Sequence, residues 1–149
     1  MAFRDSLQTG EVSDYLNSDF FYNLGSSVGY GCPNKPNDVR LVQYFLNVHN
    51  GAYDWIFGKK IAVDGAFGGE TWGAIKRYQL QIGYNGYGMV SSVKSNNYTS
   101  PKTNCFYTII YLNDGYRQVC DQYWKEPRRD PEFPEELKAH LYGSLPQQT

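Results

Sequence analysis

The chain has 149 residues, of which 41% are hydrophobic and 19% are charged, and it carries a net charge of −1. This length fits one domain with elaborated ends, and the composition excludes wholesale disorder. Without a basic excess, we expect neither a nucleic-acid partner nor a polybasic membrane patch, because both depend on clustered positive charge.

The unusual feature of the composition is its aromatic content, 17% with 14 Tyr. Tyrosine suits polar partners such as glycans and peptides, although filling a small core and its rim is the better explanation for the set as a whole. The three cysteines, Cys32, Cys105 and Cys120, lie in no CxxC motif. We therefore expect no secreted disulfide scaffold, while a single bridge stays open.

The ends and apolar stretches of the chain bear on its location. The N-terminus shows no basic segment followed by an apolar run, so no signal peptide is predicted. No stretch approaches the roughly 18 apolar residues of a membrane span. We expect a protein that is made in the cytoplasm, does not insert into a membrane, and is delivered by something else if it acts outside.

An N-terminal arm is predicted over residues 1–25, where SDYLNSDFFYNL is typical of a short helix or docking segment. Residues 26–37 are rich in Gly, Pro and Asn, which interrupt regular structure, and predict a loop.

Three helices follow, each predicted from apolar residues at helical spacing. The first covers residues 38–49, with Asn37 or Asp38 as its cap, and the second covers about residues 69–81. The third lies within residues 103–119, whose β-branched content also allows a strand. The expected buried stripes are Val39/Val42/Leu46, Ala74/Ile75/Tyr78 and Phe106/Ile109/Ile110.

A charged, Pro-rich tail ends the chain over residues 123–149, and Pro134 suits the first turn of a short helix there. The predicted organisation is an arm (1–25), a domain (26–122) and this tail. The predicted fold class is all-α, a compact three-helix core between the arm and the tail.

The segment VDGAFGGETWGAIKRYQ, residues 63–79, is a corner that leads from a loop into the second helix. Asp64-Gly65 favours a turn, because Asp bonds the backbone two residues on and Gly accepts a positive φ. Phe67 is expected to pin the turn to the core, and Thr71 to bond local backbone in the first helical turn.

This corner resembles the repeat of the peptidoglycan-binding-domain-like family, in which a valine-aspartate-glycine-x-phenylalanine-glycine-x-x-threonine turn precedes a helix. The first helix is similar too, with Val42-Gln43 and Leu46-Asn47 where the family has a valine-glutamine and a leucine-asparagine. The resemblance covers about residues 28–113 and implies the three-helix fold. The matching corner residues are Val63, Asp64, Gly65, Phe67, Gly68, Thr71, Ala74, Ile75, Tyr78 and Gln79.

The chain departs from the family pattern in two places. Gly69 stands where the family usually has proline. After the second helix, where the family has another aspartate-glycine turn, Tyr87 takes the aspartate position before Gly88. About ten further residues, 93–102, then precede the third helix, so we expect a rebuilt ligand-facing surface there.

The sequence shows no recognisable set of catalytic residues. The only histidines, His49 and His140, have no Cys or carboxylate at ligand spacing, which argues against a zinc amidase or peptidase. Glu70 is expected at a helix start for electrostatic reasons alone. GYNGYG, residues 83–88, lacks the Lys-Ser/Thr of a phosphate loop. We therefore expect no enzyme, no cofactor and no metal.

The resemblance implies a non-catalytic module that binds peptidoglycan through its stem peptide or glycan. A shallow groove with aromatic side chains, a cation and amides suits such a ligand. Arg77 is predicted to hold a carboxylate, and Trp72 and Tyr84 to stack on ligand faces. The candidate ligand-binding residues are Asp64, Trp72, Arg77, Tyr78, Gln79, Tyr84 and Tyr87, with a purely structural role as the alternative for Tyr78 and Gln79.

Two other functions stay open at this point. The chain fits a structural or adaptor component of a phage tail, a contractile injection system or a secreted-toxin assembly, because its arm and tail suit docking on protein partners. It also fits, less well, the wall-binding part of an endolysin. In each case we expect action at the cell wall or periplasm after delivery, or within a particle.

Overall fold

The computed structural model describes residues 1–143, without the side chains of His140 and Tyr142. Residues 144–149 of the predicted tail, and the surroundings of the His140 side chain, lie outside this described part. The described residues form five α-helices and a two-stranded antiparallel sheet.

The N-terminal segment forms a β-hairpin with a short helix in its connection. Strand β1 (Phe3–Ser6) pairs with β2 (Phe20–Asn23), and helix α1 (Glu11–Leu16) lies between them in the chain. All four residues of β2 are buried. The predicted all-α fold class is therefore wrong, and the fold is mixed. Consecutive aromatic residues favour extended backbone where both faces of a strand are covered, and periodicity alone did not reveal this.

Helices α2 (Pro36–Ala52), α3 (Gly69–Gln81) and α4 (Thr108–Val119) form the centre of the molecule, and α2 packs mainly on α4. The predicted stripes are buried except for Phe106, which precedes α4 and is half-buried. Helix α4 starts only at Thr108 because the preceding residues pair with one another: the Tyr107 N–H donates to the Tyr98 carbonyl at 2.9 Å.

The start of α2 differs from the prediction. Neither Asn37 nor Asp38 caps the helix, since Pro36 occupies its first turn and needs no N–H partner there. Asp38 is instead fully buried and accepts hydrogen bonds from the N–H groups of Gly25 (3.0 Å) and Ser26 (3.1 Å). This carboxylate ties the N-terminal segment to α2.

A buried amide on α4 holds the hairpin. Asn113 Oδ1 accepts a hydrogen bond from the Tyr22 N–H at 2.7 Å, and Asn113 Nδ2 donates to the Tyr22 carbonyl at 2.9 Å. Strand β2 thus has its backbone paired on both sides, with β1 and with a helix side chain.

The C-terminal segment packs on the same core. Two 3₁₀ turns, Asp121–Tyr123 and Pro127–Arg129, lead to helix α5 (Glu135–Gly143). The helix begins at Glu135, so Pro134, predicted within its first turn, directly precedes it. Trp124 and Phe133 are each 2% exposed and belong to the same apolar cluster as the central helices.

Candidate functional site

Helix α2 holds the corner before α3 with one buried side chain, Gln43. Its Oε1 atom accepts hydrogen bonds from the N–H groups of Asp64 and Gly65, both at 3.0 Å. Its Nε2 atom lies 3.1 Å from Asp64 Oδ1, 3.1 Å from the Ala66 carbonyl and 3.0 Å from Thr71 Oγ1. Gly65 has a φ of 77°, which glycine adopts without strain. Gln43 therefore fixes the turn from which α3 starts.

The Asp64 side chain completes this turn. Its Oδ1 atom accepts a hydrogen bond from the Ala66 N–H at 3.0 Å. The bond from Ala66, and next the bond from Gln43, lower the pKa of Asp64 below its usual value. Phe67 is half-buried and packs edge-on against Tyr30, with ring centroids 5.1 Å apart. The side chains of Asp64 and Phe67 thus both have partners within the protein.

Gln79 of α3 repeats this arrangement before α4. Its Oε1 atom accepts a hydrogen bond from the Gly88 N–H at 2.8 Å, and its Nε2 atom donates to the Met89 carbonyl at 2.8 Å and to Thr108 Oγ1 at 3.1 Å. Gly88 has a φ of 78°, matching the first corner. Tyr87 stands before this glycine as Asp64 stands before Gly65. The segment that departs from the family pattern in sequence is thus a second corner of the same construction.

A groove of about 360 Å³ opens at the second corner, where the connection from glycine to threonine is much longer (88–108) than at the first (65–71). One side of the groove comes from α3 and the segment that follows it, and the other from residues 100–108. The lining is aromatic and hydroxylic and includes Tyr30, Trp72, Tyr84, Tyr87, Tyr107, Ser91, Ser100, Thr103 and Thr108.

The groove carries positive charge at its edge. Lys102 Nζ lies 5.5 Å from the ring centroid of Tyr87, and Lys76 Nζ lies 4.2 Å from that of Trp72. Neither lysine forms an ion pair with a residue in the described part of the chain. Among the described residues that line the groove, none is acidic. The site is thus suited to neutral or anionic ligands.

A buried hydroxyl group also lies in the lining. Tyr84 is 9% exposed, and its Oη atom has no hydrogen-bond partner of normal geometry among residues 1–143. Burial, as the largest cause, raises the pKa of Tyr84, while the neighbouring Thr103 side chain acts in the opposite direction. The phenol therefore stays neutral at physiological pH and can take part in hydrogen bonds only as a hydroxyl group.

The structure brings four of the seven predicted site residues together: Trp72, Gln79, Tyr84 and Tyr87 all line the groove. The amide of Gln79 is fully engaged by the protein, so this residue shapes the groove and leaves ligand contacts to the others.

The other three predicted residues lie elsewhere. Asp64 belongs to the first corner. Tyr78 is 4% exposed and packs edge-on against His49, with centroids 4.8 Å apart, so it is part of the core. Arg77 is exposed and lies beside Gly58, outside the groove lining. The predicted cation of the site is therefore replaced by Lys102.

Sequence reasoning missed Tyr30, Lys102, Thr103 and Tyr107. Tyr30 lies in the loop before α2, and Thr103 and Tyr107 were included in the predicted third helix. Asn104 was the available signal, because asparagine tolerates the left-handed backbone that it adopts here, with a φ of 56°, and such a residue interrupts a helix. No local pattern indicates which side of the molecule Lys102 faces.

The described residues were also compared with the requirements of a metal site, a disulfide bond and a membrane-spanning helix. No group of three or more His, Cys, Asp and Glu side chains within residues 1–143, as far as their side chains are described, is arranged to hold a metal ion. The three cysteines are unpaired, so the single bridge left open by the sequence does not form. Of the helices described, none combines the length and apolar character needed to cross a membrane.

Comparison of the chain with models of protein families, with curated proteins and with solved structures finds no match in any of the three. A functional interpretation therefore starts from the groove and from the motif residues beside it.

Proposed function

We propose that this chain is a non-catalytic binding module for bacterial peptidoglycan, and that the ligand lies in the groove at the second corner. The observation that carries the proposal is the groove itself, which is lined by Trp72, Tyr84 and Tyr87, edged by Lys102 and without acidic side chains among its described lining residues. Its location beside α3, which carries the motif of the resemblance, supports the same conclusion.

Peptidoglycan offers two kinds of chemical group that suit this lining. Its N-acetylated sugars present apolar faces that pack on aromatic rings such as those of Trp72 and Tyr87. Its stem peptides carry carboxylates, for which Lys102 provides an unpaired positive charge, and amides that bond to hydroxyl groups such as that of Ser100. We expect weak binding, with a Kd that is micromolar or poorer. A shallow site makes few strong contacts, so little net binding free energy remains once the ligand and side chains have lost their conformational freedom.

Co-sedimentation with purified peptidoglycan sacculi at low salt tests this proposal. The wild type is expected to sediment with sacculi, and Lys102→Ala to weaken binding about tenfold through loss of a charge-assisted bond. The binding that remains in Lys102→Ala should depend less on salt concentration than wild-type binding does, because salt screens the exposed ion pair that this variant lacks. Lys125→Ala removes an exposed lysine outside the groove and is the matched control.

Two further measurements define the ligand and the absence of catalysis. Competition by soluble N-acetylglucosamine oligomers or by free stem peptides identifies which part of the polymer fills the groove. The pure protein is expected to release no soluble muropeptides. On this proposal the protein acts at the wall or in the periplasm after delivery, or within a particle.

Two results would contradict the proposal. One is a wild-type protein that does not sediment with sacculi at low salt, and the other is a Lys102→Ala variant that binds like the wild type. A wild type that instead assembles with tail, baseplate or toxin proteins would favour the structural role.

A further inference from the structure

The segment that follows α2 exposes a contiguous set of large apolar side chains. Tyr53, Trp55, Ile56 and Phe57 are 48%, 40%, 73% and 41% exposed. Single exposed apolar residues are ordinary, but a contiguous set marks an interaction surface. We call residues 53–57 the aromatic loop. It shares no residue with the groove lining described above.

The backbone of the aromatic loop is held in an unusual conformation. Asp54 and Trp55 have φ values of 56° and 64°, and a bulky residue rarely occupies this left-handed region. The Trp55 N–H donates to the Asn50 carbonyl at 2.8 Å, and the Trp55 ring covers Gly51, where an added Cβ would lie 3.2 Å from the ring. Such strain persists where the surroundings enforce it, and it is concentrated at functional sites.

Three cations lie near the base of the loop. Lys59 and Lys60 are exposed, and Arg77 Nε lies 3.4 Å from the position that a Cβ on Gly58 would take. Within the described part of the chain, none of the three forms an ion pair. Asp54 is the acidic residue of the loop, and Asp130 and Glu132 line a neighbouring groove together with Trp55 and Lys60.

We propose that the aromatic loop docks on the surface of an anionic lipid bilayer, with Ile56 and Phe57 in the interface and the three cations against lipid phosphates. Exposed Trp and Tyr rings beside basic residues are typical of the headgroup region. Lysine is depleted from protein–protein interfaces, so the adjacent lysines favour a lipid partner over a protein one. This contact is peripheral and requires no membrane-spanning helix.

Vesicle flotation tests the proposal with two lipid compositions, phosphatidylcholine alone and phosphatidylcholine mixed with phosphatidylglycerol. The wild type is expected to float with the mixed vesicles only, and less so as salt rises. Lys59→Gln and Lys60→Gln should each weaken binding about fivefold, because each removes one charge near an anionic surface.

The apolar tip is tested by Ile56→Glu, which should abolish flotation. Ile56 is 73% exposed, so folding, checked by circular dichroism, should be unaffected. Gln8→Glu adds the same charge at another exposed position and should float like the wild type. Both variants should bind sacculi normally, because neither residue lines the groove of the proposed wall-binding site.

A wild type that stays unbound to the mixed vesicles would overturn the proposal, and the aromatic loop would then require a protein partner. An Ile56→Glu variant that floats as well as the wild type would overturn it too.

Discussion

The corners before α3 and α4 share one construction and end in different surfaces. In each, a glutamine from the preceding helix accepts a hydrogen bond from a left-handed glycine and donates one to a threonine in the first turn of the next helix. At the first corner, the Asp64 side chain accepts a hydrogen bond from the Ala66 N–H and so closes the turn. At the second, Tyr87 takes that position, is 46% exposed and lines the groove.

The difference shows how a structural unit becomes a binding surface. The glutamine supplies enough hydrogen bonding to hold the turn, so the residue before the glycine can be replaced without loss of the corner. Loops held on a rigid scaffold commonly carry binding residues for this reason. We therefore expect the first corner to contribute mainly stability and the second to contribute both stability and binding.

Gln43→Ala should have the largest effect on stability. It leaves the N–H groups of Asp64 and Gly65 and the Thr71 hydroxyl without their partner. Each unpaired buried group is costly, so the free energy of unfolding should fall by about 3–5 kcal/mol in urea titrations. Gln122→Ala, at an exposed position, is the control. A decrease in the free energy of unfolding of less than about 1 kcal/mol would show that Gln43 does not hold the corner.

Gln79→Ala should destabilise less, by about 2–3 kcal/mol, because the second corner has fewer bonds to the glutamine. The same variant should weaken sedimentation with sacculi, since Gly88 and Met89 belong to the groove lining. Gln43→Ala, compared at a temperature where both variants are folded, should leave sedimentation unchanged. The comparison between the corners fails if both variants bind sacculi equally.

Asp64→Asn tests the closing side chain through pH. The folded-state pKa of Asp64 is lowered, by the Ala66 N–H first and by Gln43 second. A carboxylate whose pKa is lowered by folding stabilises the folded state at pH values above its unfolded pKa of about 4. This stabilisation is lost as the pH falls through the folded-state pKa. Unfolding measured from neutral to strongly acidic pH should therefore depend less on pH in Asp64→Asn than in the wild type. Asp19→Asn, also exposed, should keep the wild-type profile.

Tyr84→Phe should have the smallest effect on stability. Its hydroxyl has no partner of normal geometry among the described residues, so its removal should change the free energy of unfolding by less than about 0.5 kcal/mol. Tyr44→Phe is the matched contrast, because the Tyr44 hydroxyl donates to Asp130 at 2.7 Å and its loss should cost about 1–3 kcal/mol. Equal losses in the two variants would mean that the Tyr84 hydroxyl is paired inside the protein.

The sequence by itself determined the central helices and the first corner. Helix α3 occupies the predicted residues 69–81, because apolar spacing and the turn residues before it act over a few neighbouring positions. The position of Arg77 was also open to prediction. It follows Trp72 by five residues, which places it about 140° away around a helix, so the two cannot share one face.

The tertiary structure alone decided the hairpin and the composition of the groove. Phe20, Phe21 and Tyr22 form a strand because β1 and Asn113 of α4 pair with its backbone, and these partners lie far away in the chain. Tyr30 and Lys102 join the groove only when the segments before α2 and before α4 close on α3. Local periodicity carries no information about such closure, since contacts between distant segments depend on how the whole core packs.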